Sequence, residues 1–326
     1  MTSAGDGVCC CGGAPRDLGV DQGRAAREAV RAAVAQLPLS TRIGVGLPLL
    51  GGDLLAARSR RDAGCFFPHM CERLAGLARG AGVARAGLEA LLARELAAAG
   101  VAAPGAAAGV AVVAAPERTG GAPLAARTLA PPPGAGARPW LLRRSAPEHD
   151  WRSLEVTSPW LVPALAGVNE RGLAVVALVF PPAPGSLAGC AAPALLLAQD
   201  CRQRCDGTQK AIEWCERRPA GGSAALLFAD ASGDVAEMAV AGPERRVRRA
   251  RDGVLASAAD PALAAALEKA CAAEATLHAA GLARALSGTA PGASGPSGAP
   301  PEVVVLDPAS RTLSLGGARL AVAGER

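Results

Sequence analysis

Gly109 to Ala130, GVAVVAAPERTGGAPLAARTLA, is the stretch that most limits what this chain can become. Its first seven residues are apolar and rich in valine, bounded by turn residues, and read as a buried strand. Pro116-Glu-Arg-Thr-Gly-Gly breaks that run, and Gly120-Gly121 accept the positive φ angles of a tight turn. Pro123 to Ala130 then returns as a second strand. The pattern predicts a β-hairpin near the centre of a sheet.

Around this hairpin the elements come in blocks. Residues 1–20 read as a disordered leader. Asp21 is placed to cap a helix over Arg24–Gln36, and further helices are expected over Cys71–Val83 and Arg85–Ala98. After residue 130 strands are expected at Trp140–Arg144, Trp151–Val156, Leu173–Phe180, Ala224–Asp230, Val235–Val240, Glu302–Leu306 and Thr312–Val322. Helices are expected over Pro193–Glu216 and Pro261–Leu286, and a flexible loop over Thr289–Pro301. Strands pair as hairpins and helices stand apart, which argues α+β layers over alternating βαβ units. The expected organisation is one domain over residues 21–326, helical over 21–108 and sheet-rich over 109–326.

Composition limits the chemistry. Half of the 326 residues are hydrophobic, yet aromatics make up only 2% and tyrosine is absent. The core must therefore be built from Ala, Leu and Val, packed closely because each buries little area. With so few aromatics a stacking surface for nucleic acid is not expected, although Arg245, Arg246, Arg248, Arg249 and Arg251 form a basic cluster that an anionic ligand could use. No apolar run is long enough for a membrane span. The N-terminus lacks the pattern of a secretion signal, so the cytoplasm is the expected compartment and no membrane partner is expected. Cys9-Cys10-Cys11 lies without a nearby histidine or second thiol pair, so no metal is expected there. Cys201, Cys205 and Cys215 read as buried thiols.

Several stretches, taken in order, resemble the penicillin acyltransferase-like family of N-terminal-nucleophile (Ntn) hydrolases. Glu72-Arg-Leu-Ala-Gly-Leu-Ala-Arg-Gly-Ala-Gly-Val83 is similar to that family's E-x-L-x-G-I-A-x-G-A-G-V helix. Gly167-Val-Asn-Glu-Arg-Gly-Leu173 resembles its G-x-N-E-x-G-L turn. Gln209–Pro219 with Ala229-Asp230 and Gly233 resembles its helix ahead of A-D-x-x-G, and Val303–Gly316 its closing strands. The resemblance spans about residues 70–320. It implies a four-layer αββα sandwich, two antiparallel sheets covered by helices.

The resemblance also implies a self-cleaving precursor whose new N-terminal cysteine attacks an amide or thioester, with an R-N-x-D motif on the partner strand. Here the nucleophile position matches Val110, and R-N-x-D matches Arg127-Thr128-Leu129-Ala130. Only the arginine survives. Valine has no lone pair to attack with, and alanine supplies no orienting carboxylate. No catalytic residue is therefore expected intact, Val110, Arg127 and Ala130 mark the vestige of the site, and Arg127 and Asn169 are the candidate substrate contacts. Asn169 can equally be a turn residue holding its own backbone.

The expected function is that of a catalytically silent family member that binds a small acylated molecule, or acts as a scaffold for a second copy or an active relative, without cofactor. One alternative is an active amide hydrolase or acyltransferase with a relocated nucleophile. The residues open to that role are Thr119, Cys65 and Cys190, the last with His149, one of three histidines beside His69 and His278. The other alternative is a non-enzymatic anion-binding protein using the arginine cluster.

Overall fold

The computed structural model describes residues 7–38, 52–98, 109–130, 139–180, 192–288 and 301–322. Two sheets stack face to face. The first has eight strands: β1 (Val8–Gly13), β4 (Leu141–Pro147), β5 (Ser153–Thr157), β6 (Ala166–Asn169), β7 (Leu173–Phe180), β8 (Ser223–Asp230), β9 (Val235–Ala241) and β10 (Glu244–Arg249), in that spatial order. The second has six: β11 (Val254–Ala258), β2 (Val110–Ala114), β3 (Leu124–Leu129), β12 (Glu302–Asp307), β13 (Thr312–Leu315) and β14 (Ala318–Ala321). All pairings are antiparallel except β1 with β4, which is parallel.

Helices cover both outer faces. Over the first sheet lie α1 (Pro15–Ala25), α7 (Ala194–Arg204) and α8 (Thr208–Arg217). The helix α4 (Pro68–Ala81) packs along α1, and α2 (Arg27–Ala35), α3 (Gly52–Phe66) and α5 (Arg85–Ala98) gather around α4. Over the second sheet lie α9 (Pro261–Ala273) and α10 (Ala279–Gly288), while the single turn α6 (Pro116–Thr119) closes the β2–β3 hairpin. The layers are those of an α+β αββα sandwich.

Sequence and position agree well where burial is two-sided. β7, LAVVALVF, is apolar throughout because α7 covers one of its faces and the second sheet the other. β10, ERRVRR, is an edge strand whose charges discourage a further strand from adding to it.

Residues 8–20 depart from the expected leader: they form β1 and half of α1, with Cys9, Cys11 and Leu18 buried. The cause is a close helix crossing. Gly19 and Gly23 on α1 face Gly76 and Gly80 on α4. A β-carbon at Gly19 would sit 1.9 Å from the Arg73 carbonyl oxygen, and one at Gly76 would sit 1.9 Å from that of Arg16. The glycines of the E-x-L-x-G motif are therefore contact points, and their partners lie in the segment read as disordered. Asp21 does not cap a helix; it accepts the Gly12 N–H at 3.1 Å and ties α1 back to β1. The helix expected over Arg24–Gln36 is divided at Ala26, where φ leaves the helical range. The loop expected over Thr289–Pro301 falls almost wholly outside the described residues, as does Cys190.

Candidate functional site

The hairpin places Gly109 and Val110 at the start of β2 and Arg127 near the end of β3. Cross-strand register pairs Ala111 with Arg127. Side chains alternate faces along a strand, and this divides the positions. Val110 belongs to the outer apolar cluster with Val112, Ala114 and Ala126, beneath α9 and α10. Ala111 belongs with Val113, Ala125 and Leu129 to the core between the sheets. Arg127 faces that same interior. The residue beside the arginine is thus Ala111, and Val110 points away; neither offers a nucleophile.

Arg127 is fully buried. Its Nε donates to the Thr128 carbonyl at 3.0 Å, and its Nη1 donates to the Ala177 carbonyl on β7 in the facing sheet. Burial lowers its pKa to about 9, which leaves it cationic at neutral pH. The Thr128 hydroxyl accepts the Val110 N–H at 3.0 Å. Gly109 has φ +139, and a β-carbon there would lie 2.7 Å from the Thr128 hydroxyl and 3.6 Å from Arg127 Nη2. The backbone at the strand start is pressed against the arginine and the threonine. Ala130 is buried just beyond β3 and brings no polar atom to the group.

Along the row that faces the other sheet, Ser257 on β11 pairs with Ala111, and Val304 on β12 pairs with Arg127. Ser257 donates to Glu237 Oε1 at 3.3 Å. Burial raises the Glu237 carboxyl pKa above its ordinary value, opposed by Arg248, which also bonds it. Ser257 stands two strands from Arg127, roughly 10 Å away at ordinary strand spacing.

Of the two roles the sequence allows Asn169, its contacts match the turn residue. It is fully buried, its Nδ2 donates to the carbonyls of Arg202 and Cys205, both at 2.8 Å, and its Oδ1 accepts the N–H groups of Arg171 at 3.0 Å and Leu173 at 2.9 Å. The side chain closes the β6–β7 turn and pins the end of α7, leaving no donor for a ligand.

Among the described residues, the candidates for a relocated nucleophile do not converge. The Thr119 hydroxyl bonds carbonyls of its own turn at Ala115, Pro116 and Ala122. Cys65 is exposed on α3. His149 is exposed and lies 3.9 Å from Glu148. Cys201 and Cys215 are buried with sulfurs 3.5 Å apart. Most of the arginine cluster is occupied by the protein itself. Arg245 donates to five carbonyls, Arg248 pairs with Glu237 and Glu268, and Arg249 pairs with Asp234 and bonds Gln209.

Two constellations, one partly and one wholly buried, carry no motif along the chain. His69 Nε2 lies 2.6 Å from Asp200 Oδ1, and Asp200 Oδ2 accepts the Trp214 indole N–H at 3.2 Å, joining α4, α7 and α8. Beneath α1 and α7, Arg143 Nε donates to Glu155 Oε2 at 2.6 Å, Nη1 donates to Gln22, and Nη2 donates to the Val162 carbonyl at 3.0 Å. Glu155 Oε1 accepts from Ser153 at 2.8 Å and Gln199 at 2.7 Å, with Arg202 Nε at 3.7 Å. Arg143, Glu155, Gln199 and Arg202 are wholly buried. Burial alone would raise the Glu155 pKa, but Arg143, Arg73 and Arg202 hold it well below the carboxylate range.

Among the described residues no group of three or more His, Cys, Asp or Glu side chains is placed to hold a metal ion, and no helix is long and apolar enough to cross a membrane. No protein-family model matches the chain, and no curated protein matches it. Among solved structures, a Caenorhabditis elegans N-acylethanolamine-hydrolyzing acid amidase ortholog is similar over 61% of this chain and 93% of its own, at 11% identity and TM-score 0.46. Penicillin V acylase from Agrobacterium tumefaciens is similar over 63% of this chain and 82% of its own, at 14% identity and TM-score 0.41. A variant of conjugated bile acid hydrolase from Clostridium perfringens is similar over 62% and 88%, at 10% identity and TM-score 0.41. At these values the likeness leaves the site to be argued from its own residues.

Proposed function

We propose that this chain is a catalytically silent relative of the penicillin acyltransferase-like Ntn hydrolases, and that it works by binding a small acylated molecule or a protein partner. One observation carries the reading: the strand start beside the buried Arg127 offers only Gly109, Val110 and Ala111. Covalent acyl transfer needs a nucleophile and a base within hydrogen-bond reach of each other, and the hydroxyl of Thr128 is committed to the Val110 backbone. Arg127 acts as a strut between the sheets, bonded to carbonyls of both. Ser257 with Glu237 favours a second reading, an active hydrolase with a relocated hydroxyl nucleophile, since it is a serine on a buried carboxylate in the same cross-strand row.

An electrophilic acyl probe, such as a fluorescent β-lactone, separates the two. Under the silent reading the folded protein remains unlabelled at serine and threonine and does not turn over a fluorogenic N-acyl amide. Covalent label on Ser257, lost in Ser257→Ala, would establish the active reading instead.

A further inference from the structure

Arg73 on α4 is 1% exposed, and none of its three guanidinium nitrogens has a hydrogen-bond partner among the described residues. It belongs electrostatically to the Arg143–Glu155 group, where Arg73, Arg143 and Arg202 act on one carboxylate. Burying a cation without hydrogen bonds to its donors costs several kcal/mol, of which a nearby carboxylate returns only part. The remaining groups acting on Arg73 are two thiols of the Cys9-Cys10-Cys11 run. β1 turns Cys9 and Cys11 inward, exposes Cys10, and sets the Cys9 and Cys11 sulfurs 3.4 Å apart.

We infer that Cys9 and Cys11, whose buried sulfurs face each other 3.4 Å apart, are a peroxide-oxidisable dithiol in which Cys11 attacks the oxidant and Cys9 resolves it. The charge pattern agrees in direction. The hydrogen bond to Cys11, then burial, raises the Cys9 pKa; the bond from Cys9 lowers that of Cys11 against its burial, helped by Arg143 and Arg73. The same guanidinium groups oppose capture of a metal cation and favour the nucleophilic form of the sulfur. β1 is the edge strand of its sheet, so the pair lies at the rim of the sandwich and not between its two sheets.

The chemistry balances with hydrogen peroxide as oxidant. The Cys11 thiolate attacks one peroxide oxygen, the O–O bond breaks, and the leaving hydroxide takes a proton to become water. The Cys9 sulfur then attacks the resulting sulfenic acid, an S–S bond forms, and a second water leaves. Two electrons pass from the sulfurs to the peroxide. Alternate strand residues are about 6.6 Å apart at the α-carbon, near the upper end of the disulfide range of about 4.4–6.8 Å.

The test uses the full chain carrying Cys10→Ser, so that residues 9 and 11 are the only thiols in the peptide ending at Arg16. After brief treatment with hydrogen peroxide, that peptide is expected to lose two hydrogens before Cys65 or Cys71 is modified, and dithiothreitol is expected to restore it. In the additional variant Cys9→Ser the reaction should stop at a Cys11 sulfenic acid that dimedone traps. Arg73→Met should slow the oxidation about tenfold or more, the loss of a stabilised thiolate. Reduced Cys9 and Cys11 in a protein already oxidised at Cys65, no dimedone adduct, or an unchanged rate in folded Arg73→Met would each overturn the inference. If Arg73→Met does not fold, the Cys10→Ser and Cys9→Ser results decide it alone.

Discussion

The two sheets each hold buried arginine, and they hold it in different ways. Arg127, on the six-stranded sheet, is bonded to carbonyl oxygens of β3 and β7. Arg143, under α1 on the eight-stranded sheet, has a carboxylate, a glutamine and a carbonyl, and Glu155 also answers Arg202. Carbonyl dipoles satisfy the donors without neutralising the charge; a carboxylate does both. The first region is a strut between the two sheets. The second is a charge network on which several elements depend at once.

The comparison is tested most severely by Glu155→Gln. It leaves three buried guanidinium groups without their shared anion, and removal of one partner from a buried pair costs about 3–5 kcal/mol. Urea denaturation against the native protein reads the loss. Acid should act on the same group. The folded Glu155 pKa lies below its unfolded value, so its stabilisation is whole above about pH 4.3 and is lost as pH falls below that toward the folded pKa. A variant lacking the carboxylate should show a flatter decline of stability over that acid range.

Asn169→Ala comes next. It strands the carbonyls of Arg202 and Cys205 and two backbone N–H groups, for an expected loss of about 2–3 kcal/mol. Because Asn169 holds the end of α7, which carries Arg202, this loss should be less than additive with that of Glu155→Gln in a double-mutant cycle. Full additivity would separate the turn from the charge network.

The smallest effect belongs to Arg127→Met. The Thr128 and Ala177 carbonyls lose a donor, but a desolvated cation is also removed, so a net cost of about 1–2 kcal/mol is expected. A loss as large as that of Glu155→Gln would break the distinction between strut and network.

Much of the sandwich was legible because its signals are local. The β2–β3 hairpin, the Asn169–Gly172 turn and the Asp230–Asp234 turn each lie within a few residues of the glycines and apolar runs that announce them. β1 and α1 were not legible. Three cysteines and several glycines read as a tail, and the meaning of Gly19 and Gly23 appears only against Gly76 and Gly80. The site was half legible. The hairpin reading puts Arg127 on the strand paired with β2, but which of Val110 and Ala111 shares its face is a one-residue register question that only pairing decides. The Arg143–Glu155–Arg202 group, drawn from two strands and a helix, forms no pattern along the chain.

The most direct measurement is the intact mass of the purified protein with no substrate added. The account predicts one species at the full-length 32.3 kDa, because nothing at the start of β2 can cut the chain. Two fragments, with a new N-terminus at a cysteine, serine or threonine, would contradict it and name the nucleophile.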